Sequence, residues 1–283
     1  MIQLGKIQNM EIRRLVDFGA YLSAPGDEAE ILMPGRYLPD NARAGDSIEA
    51  FVYNDSEDRP VATTERPFAT VGDFAFLEVS DVNSVGAFLD WGIPGKGLLV
   101  PFAEQKVRMR RGMVYLVYIY VDDATHRIAA TSKIDKYLGN AYPDYRVGQP
   151  VSALVIEHTP IGYKVIVDNR HRGMIYSNEL HRPIEIEETV TAFVKQIRPD
   201  GKIDLTVNDK AVKRQTQVSD LILEYLAEPT SAPLTEKLSP EAVEMLFACS
   251  KKDFKKAVGH LYRDRKIEIA PDGVISIVGS KKD

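Results

Sequence analysis

Phe18-Gly19-Ala20-Tyr21-Leu22 returns 67 residues later as Val85-Gly86-Ala87-Phe88-Leu89, and the same offset pairs Gly5 with Gly72, Pro34 with Pro101, Gly45 with Gly112 and Thr64 with Thr131. Matches this numerous at one offset mark an internal repeat, which decides the architecture before any single element does. A third, weaker copy lies 76 residues further on, where Val71-Gly72 becomes Val147-Gly148, Gly86 becomes Gly162 and Gly97 becomes Gly173. Near its end the offset falls to 75, pairing Ile128 with Ile203 and Thr131 with Thr206. Within each copy apolar residues alternate, as in Ala153-Leu154-Val155-Ile156 and Tyr163-Lys164-Val165-Ile166-Val167, with Gly, Pro and Asp/Asn clusters between the runs. That period of two predicts strands. About five short strands in some 65 residues, with a glycine inside the second where the chain must bend sharply, suit a small closed barrel better than an open sheet with exposed edges.

The fold expected is mainly β: three tandem five-stranded OB-type barrels over residues 1–67, 68–138 and 146–210, then an α+β module over 211–280. The joint between the second and third barrels has linker composition, and its Tyr142 and Tyr145 are expected to pack on a neighbour. After Asn208 the rhythm becomes helical, with Val218, Leu221, Ile222, Tyr225 and Leu226 at i, i+3, i+4 spacing and Pro229 as the stop. Ser239-Pro240-Glu241 supplies a cap, a proline at the first helical position and a first-turn acid. Ser250 opens a third helix through Arg265. Two β runs, Ile267 to Ile269 and Val274 to Val278, flank the turn Pro271-Asp272-Gly273. Helix, helix, helix, hairpin is the order of a winged helix, and Lys281 to Asp283 should fray.

With 44% apolar and 27% charged residues, the composition excludes collagen-like, wholly disordered and membrane-spanning chains. The first residues alternate like a strand and lack a secretory core, so the expected location is the cytoplasm. Cys249 is the one cysteine and His126, His158, His171, His181 and His260 are scattered, which leaves no disulfide, no zinc cluster and no expected metal or cofactor. Gly92-Ile93-Pro94-Gly95-Lys96-Gly97 has the look of a phosphate loop, but it lacks Ser/Thr after Lys96 and the required glycine spacing. No catalytic constellation emerges, and the chain reads as a non-enzyme.

Net charge is −5, and residues 1–67 carry 7 Lys and Arg against 12 Asp and Glu, so nucleic acid could be held only by local clusters. Phe18, Tyr21 and Phe88 fit either stacking platforms for unpaired bases or ordinary core. Tyr176 is the corresponding candidate in the third copy, where Ile161 and Lys164 occupy the aromatic places. Asp55 and Arg59 stand four apart, as do Asp123 and Arg127, while the third copy has Arg198 and Lys202; each basic member fits a surface ion pair or a phosphate contact. Arg108, Arg110 and Arg111 form the densest basic stretch outside the tail and fit phosphate contact or a solvated loop. On the third tail helix Phe254, Val258 and Leu261 fall on one side and Lys252, Lys256 and Arg263 opposite, with Lys255 nearby, so a cationic face is available to RNA, DNA or a protein partner.

Phe18-Gly19-Ala20-Tyr21 and Val85-Gly86-Ala87-Phe88 resemble the FGAF signature of the S1 RNA-binding domain, and Gly173-Met174-Ile175-Tyr176-Ser177-Asn178-Glu179-Leu180 resembles its GLVHISEL segment. Phe88-Leu89-Asp90-Trp91-Gly92-Ile93-Pro94, Leu98-Leu99-Val100-Pro101 and Ala129-Ala130-Thr131-Ser132-Lys133 are similar to marks of the bacterial conserved virulence factor B family, which has three such domains followed by a winged helix. The resemblance covers essentially the whole chain. It implies RNA binding without catalysis, in post-transcriptional control of gene expression; the leading expectation is single-stranded RNA held across the tandem barrels with help from the basic winged helix, and the alternatives are a DNA-binding regulator acting through the winged helix and a protein-interaction scaffold. The domain's two aromatics fall on Phe18 and Tyr21, on Val85 and Phe88, and on Ile161 and Lys164. Its histidine falls on Met33, Val100 and Tyr176, and its Asp and basic residue fall on Asp55 and Arg59, Asp123 and Arg127, and Lys202 alone.

Overall fold

The computed structural model describes the chain except residues 181, 182, 229, 230 and 280–283, with side chains of the helix that opens at Asp209 described from Gln217 onward. His181, the stop at Pro229 and the fraying tail lie outside the described residues. The chain divides into two compact units, Met1–Asn140 and Ala141–Asp283.

In the first unit, β1 (Ile7–Val16), β2 (Gly19–Ser23), β3 (Glu30–Pro34), β4 (Ser47–Asn54) and β5 (Pro60–Thr63) close into a barrel of order β1-β2-β3-β5-β4. One long strand serves two walls: β1 pairs Ile7–Glu11 with β4 and Glu11–Val16 with β2, the second ladder interrupted by a bulge between Ile12 and Arg14. The second barrel repeats this with β6 (Phe74–Val82), β7 (Gly86–Leu89), β8 (Leu98–Pro101), β9 (Val114–Val121) and β10 (Ile128–Thr131), in the order β10-β9-β6-β7-β8. No ladder joins β8 to β10, so this barrel is nearly closed, with an open seam. In the first barrel the equivalent gap is bridged by parallel pairing of Leu32 with Val61.

The repeated glycine allows a close approach more than it marks a bend. A Cβ at Gly19, Gly86 or Gly162 would lie 2.1, 2.3 or 2.1 Å from the carbonyl oxygen of Met33, Val100 or Ile175. Any side chain there would push the second strand off the third.

Strand β4 explains how the first two barrels join. Ala50 and Val52 point into the first barrel's core with Met10, Ile12, Leu22 and Met33. Phe51 and Tyr53, on the opposite face, join Val79, Leu89, Trp91, Val100 and Ile119 of the second barrel in a common cluster. A strand buried on both faces reads as a continuous apolar run, as Ala50-Phe51-Val52-Tyr53 does. Trp91 is 2% exposed, meets Phe51 edge-on at 5.5 Å between ring centroids, and donates its indole N–H to the Lys96 carbonyl at 2.8 Å.

In the second unit, β11 (Pro150–Thr159), β12 (Gly162–Val167), β13 (His171–Tyr176), β14 (Thr189–Ile197) and β15 (Ile203–Thr206) form another closed barrel with its own core. Of the two joint tyrosines, Tyr145 packs, edge-on to His171 at 5.5 Å. Tyr142 does not: it is 67% exposed, because only its hydroxyl is engaged, donating to the Arg198 carbonyl at 3.4 Å.

The tail contains α1 (Asp209–Ala227), β16 (Leu234–Thr235), α2 (Pro240–Phe247), α3 (Lys251–Arg263), β17 (Ile267–Ile269) and β18 (Val274–Ile277). Ser239 and Ser250 cap α2 and α3 by accepting the N–H groups of Ala242 and Asp253, each at 3.2 Å. Phe247 and Phe254 stack at 5.3 Å in a core that includes Val218, Ile222, Val258, Leu261 and the buried Cys249. The two-residue β16 pairs with β18 and makes the wing three-stranded; so short a strand leaves no period to read.

Candidate nucleic-acid interface

Each barrel builds the same corner. The residue just before the repeated glycine is apolar and exposed: Phe18 at 61%, Val85 at 54% and Ile161 at 62%. Phe18 is therefore not core. Two residues past the glycine stand Tyr21, Phe88 and Lys164, facing Arg14, Asp81 and Glu157 on the first strand of their barrels. The Arg14 guanidinium lies 3.9 Å over the Tyr21 ring and is also bound to Glu30 at 3.1 Å, so Tyr21 is half-buried under a cation. Phe88 is half-buried beside Gly97, where a Cβ would come within 3.0 Å of it. Lys164 pairs with Glu157 at 2.9 Å.

Register corrects two of the positional assignments. Gly19, Gly86 and Gly162 stand opposite Pro34, Pro101 and Tyr176. The place of the S1 histidine is thus Pro34 and Pro101 in the first two barrels. Met33 and Val100, one residue earlier, point inward and are fully buried, like Ile175 in the third barrel. The second correction concerns the turn before the last strand. Asp55 N–H donates to the Arg59 carbonyl, and the matching bond in the second barrel runs from Asp122 to Arg127, so Asp122, not the exposed Asp123, takes the place of Asp55. The second turn is one residue longer. Arg198 and Lys202 close the third turn in the same way.

The basic members of these turns are engaged. Arg59 binds Asp55 at 2.8 Å; burial pulls the Asp55 carboxyl up, but hydrogen bonds from Arg59 and Glu57 outweigh it and hold the acid below its ordinary range. Arg127 reaches from the second barrel to Asp58 of the first. Lys202 pairs with Asp200 at 2.7 Å. Tyr176 is half-buried, its hydroxyl accepting from Arg198 and donating to Asp204 at 3.4 Å. Such exposed pairs exchange partners at little cost, typically below about 1 kcal/mol.

The Arg108, Arg110 and Arg111 stretch is held in place by Met109, which is 4% exposed and donates its N–H to Gln105 Oε1 at 3.1 Å. Arg108 lies 3.7 Å over the Phe102 ring, and among the described residues no carboxylate lies within 4.0 Å of these three guanidiniums. On α3, Lys252, Lys255 and Lys256 are exposed and likewise without a carboxylate partner among the described residues. Arg263, also exposed, lines a cleft between the helical module and the third barrel, with Gln196, Ile197 and His260.

Between the first two barrels lies a crevice of about 400 Å³ that brings Phe88 and Arg127 together with Tyr53, Trp91 and Lys96. Phe18, Tyr21, Arg59 and the Arg108 stretch do not line it. Trp91 and Lys96 are the residues to which the sequence alone assigns no role. Their signal is the loop from Gly92 to Gly97, which folds Lys96 back to donate to the Asp55 carbonyl at 2.9 Å.

A family profile described as S1 domain matches residues 4–65, and one described as CvfB-like winged helix domain matches residues 220–275. Among curated proteins the chain is 25% identical over 273 residues to the uncharacterized protein YitL of Bacillus subtilis, covering 93% of this chain and 90% of that one. It is 24% identical over 278 residues to conserved virulence factor B of Staphylococcus aureus strain USA300, covering 94% and 91%. A crystal structure of a multidomain protein with nucleic acid binding domains from Streptococcus pneumoniae matches at 22% identity over 97% of this chain and 98% of that one, with a TM-score of 0.39. With an S1 domain profile matched at one end, a CvfB-like winged-helix profile at the other and two curated relatives aligned over more than nine-tenths of its length, the chain is similar from end to end to conserved virulence factor B and YitL.

Proposed function

We propose that this protein is a non-catalytic, cytoplasmic regulator that binds single-stranded RNA along its barrels and acts on gene expression after transcription. The observation that carries the reading is the threefold corner, where Phe18, Val85 and Ile161 stand exposed at one strand position although large apolar side chains favour burial. Exposed apolar faces beside half-exposed aromatics serve unpaired bases, which stack for roughly 1–3 kcal/mol each, and offer nothing to a duplex whose bases are already stacked. The matched S1 and winged-helix domain types support a binding role in place of a catalytic one. The cations at Arg108, Arg110, Arg111, Lys252, Lys255 and Lys256 supply phosphate contacts, and their small number predicts modest affinity with a shallow salt dependence.

The test compares a short single-stranded RNA with duplex DNA at one salt concentration. The RNA should bind more tightly, and Phe18→Ala should weaken it by roughly 1–3 kcal/mol without lowering the melting temperature. Equal or tighter binding to the duplex would move the function to the winged helix and to DNA.

A further inference from the structure

The crevice between the first two barrels is built unlike the corners. Its walls are aromatic and aliphatic: Phe88, Trp91, Leu99 and Pro101 line it. Its volume of about 400 Å³ suits a base with its sugar and lies at the small end of the usual range of ligand sites. Its acids are already occupied, Asp55 by Arg59, Asp58 by Arg127, and Asp122 by the Thr125 N–H and hydroxyl at 2.8 and 2.9 Å. Lys96 is different. Its ammonium gives one hydrogen to the Asp55 carbonyl, keeps two, and has no carboxylate within 4.0 Å among the described residues. A half-buried ammonium with unused donors beside an aromatic wall is arranged for an anion attached to a flat ring.

We propose that this crevice takes one unstacked nucleobase of a bound RNA strand, Phe88 covering its face and Lys96 holding its phosphate. The proposal rests on the RNA-binding reading and goes beyond it by naming a base pocket that neither barrel contains alone. The strand is favoured over a free nucleotide because Val85 and Phe88, which both line the crevice, belong to the corner that the other barrels also present.

Trp91 is the only tryptophan of the chain, so its emission reports the crevice directly. The full-length protein is titrated with an end-labelled single-stranded oligoadenylate while label anisotropy and Trp91 emission are followed, and separately with adenosine monophosphate. Emission should be quenched in step with anisotropy. Phe88→Ala and Lys96→Gln should each weaken oligoadenylate binding about tenfold and remove the quench. Lys96→Gln removes the charge while keeping a polar side chain, and guards against a folding defect in the phenylalanine variant. Binding by anisotropy with unchanged emission and unchanged affinity in Lys96→Gln would overturn the pocket and leave RNA binding standing. A quench by the mononucleotide with no strand binding would overturn the strand and assign the crevice to a free nucleotide. Neither signal with either probe would defeat both readings.

Discussion

Phe51, Tyr53 and Val61 leave the wall of the first barrel to sit in a cluster with the second, whereas the third barrel and the winged helix keep separate cores and meet across a cleft of about 630 Å³ lined by Arg146, Asp220, His260, Arg263 and Lys266. The first junction is held by a continuous apolar cluster; the second has a cleft with many charged side chains in its walls. A large apolar interface makes two modules unfold and move as one, while a polar one lets relative motion persist. The same S1-type scaffold can therefore serve as half of a rigid pair or as a neighbour free to adjust.

The sharpest way to break the contrast is Trp91→Ala. Removing the ring that spans the first junction should cost about 3–5 kcal/mol and lower the unfolding of both barrels together. Calorimetry on the full chain should show that transition shift while the one from the second unit stays in place; a shift confined to one barrel would mean that the shared cluster does not couple them. Next in size is the helical module. Changing Lys252, Lys255 and Lys256 together to Gln should lower RNA affinity about uniformly across sequences and reduce the salt slope by roughly one unit for each phosphate no longer neutralised. Unchanged affinity in a folded variant would confine binding to the barrels.

The smallest effect sits in the cleft itself. Burial, followed by the charge of Arg263, holds the half-buried His260 below its ordinary pKa, with Lys195 and Lys256 acting in the same direction and Asp264 against them. The folded protein thus resists a proton that the unfolded chain accepts. This contribution to stability is complete above the unfolded value of about 6.5 and is lost as the pH falls below it. Melting curves of His260→Gln should be flatter than those of the parent between about pH 5 and 7.

The repeat makes the barrels legible because its glycines are required by backbone contact with the neighbouring strand, which tolerates no substitute. The winged helix is legible from caps whose side chains make the bonds their types allow. Register is what sequence spacing misplaces. The four-residue spacing of Asp123 and Arg127 mimics that of Asp55 and Arg59, although the offset of 67 leads from Asp55 to Asp122; the extra residue in the second turn restores the false match. Met33 and Val100 pass for the histidine place because proline at Pro34 and Pro101 erases the signature letter. The crevice is not legible at all. It arises from two modules meeting, and its sequence trace, the unbroken run Ala50-Phe51-Val52-Tyr53, means only that both faces of one strand are covered.

The open seam of the second barrel has a mechanical consequence. In the first and third barrels every strand is bonded on both sides, forming a hoop, and widening it would break ladder bonds worth about 0.5–1.5 kcal/mol each. The second barrel has no hoop, since β8 and β10 face each other without a ladder, and both lips, at Leu98 and Leu99 on one side and Ile128 and Ala129 on the other, border the crevice. Its girth is opposed there by no ladder, only by bonds at one end of the seam, where the Ser132 N–H and Thr131 hydroxyl donate to the Glu104 carbonyl at 3.0 and 3.2 Å. The second barrel is thus the more compliant half of the first unit, its open lips bordering the crevice while its hooped neighbour holds the opposite wall.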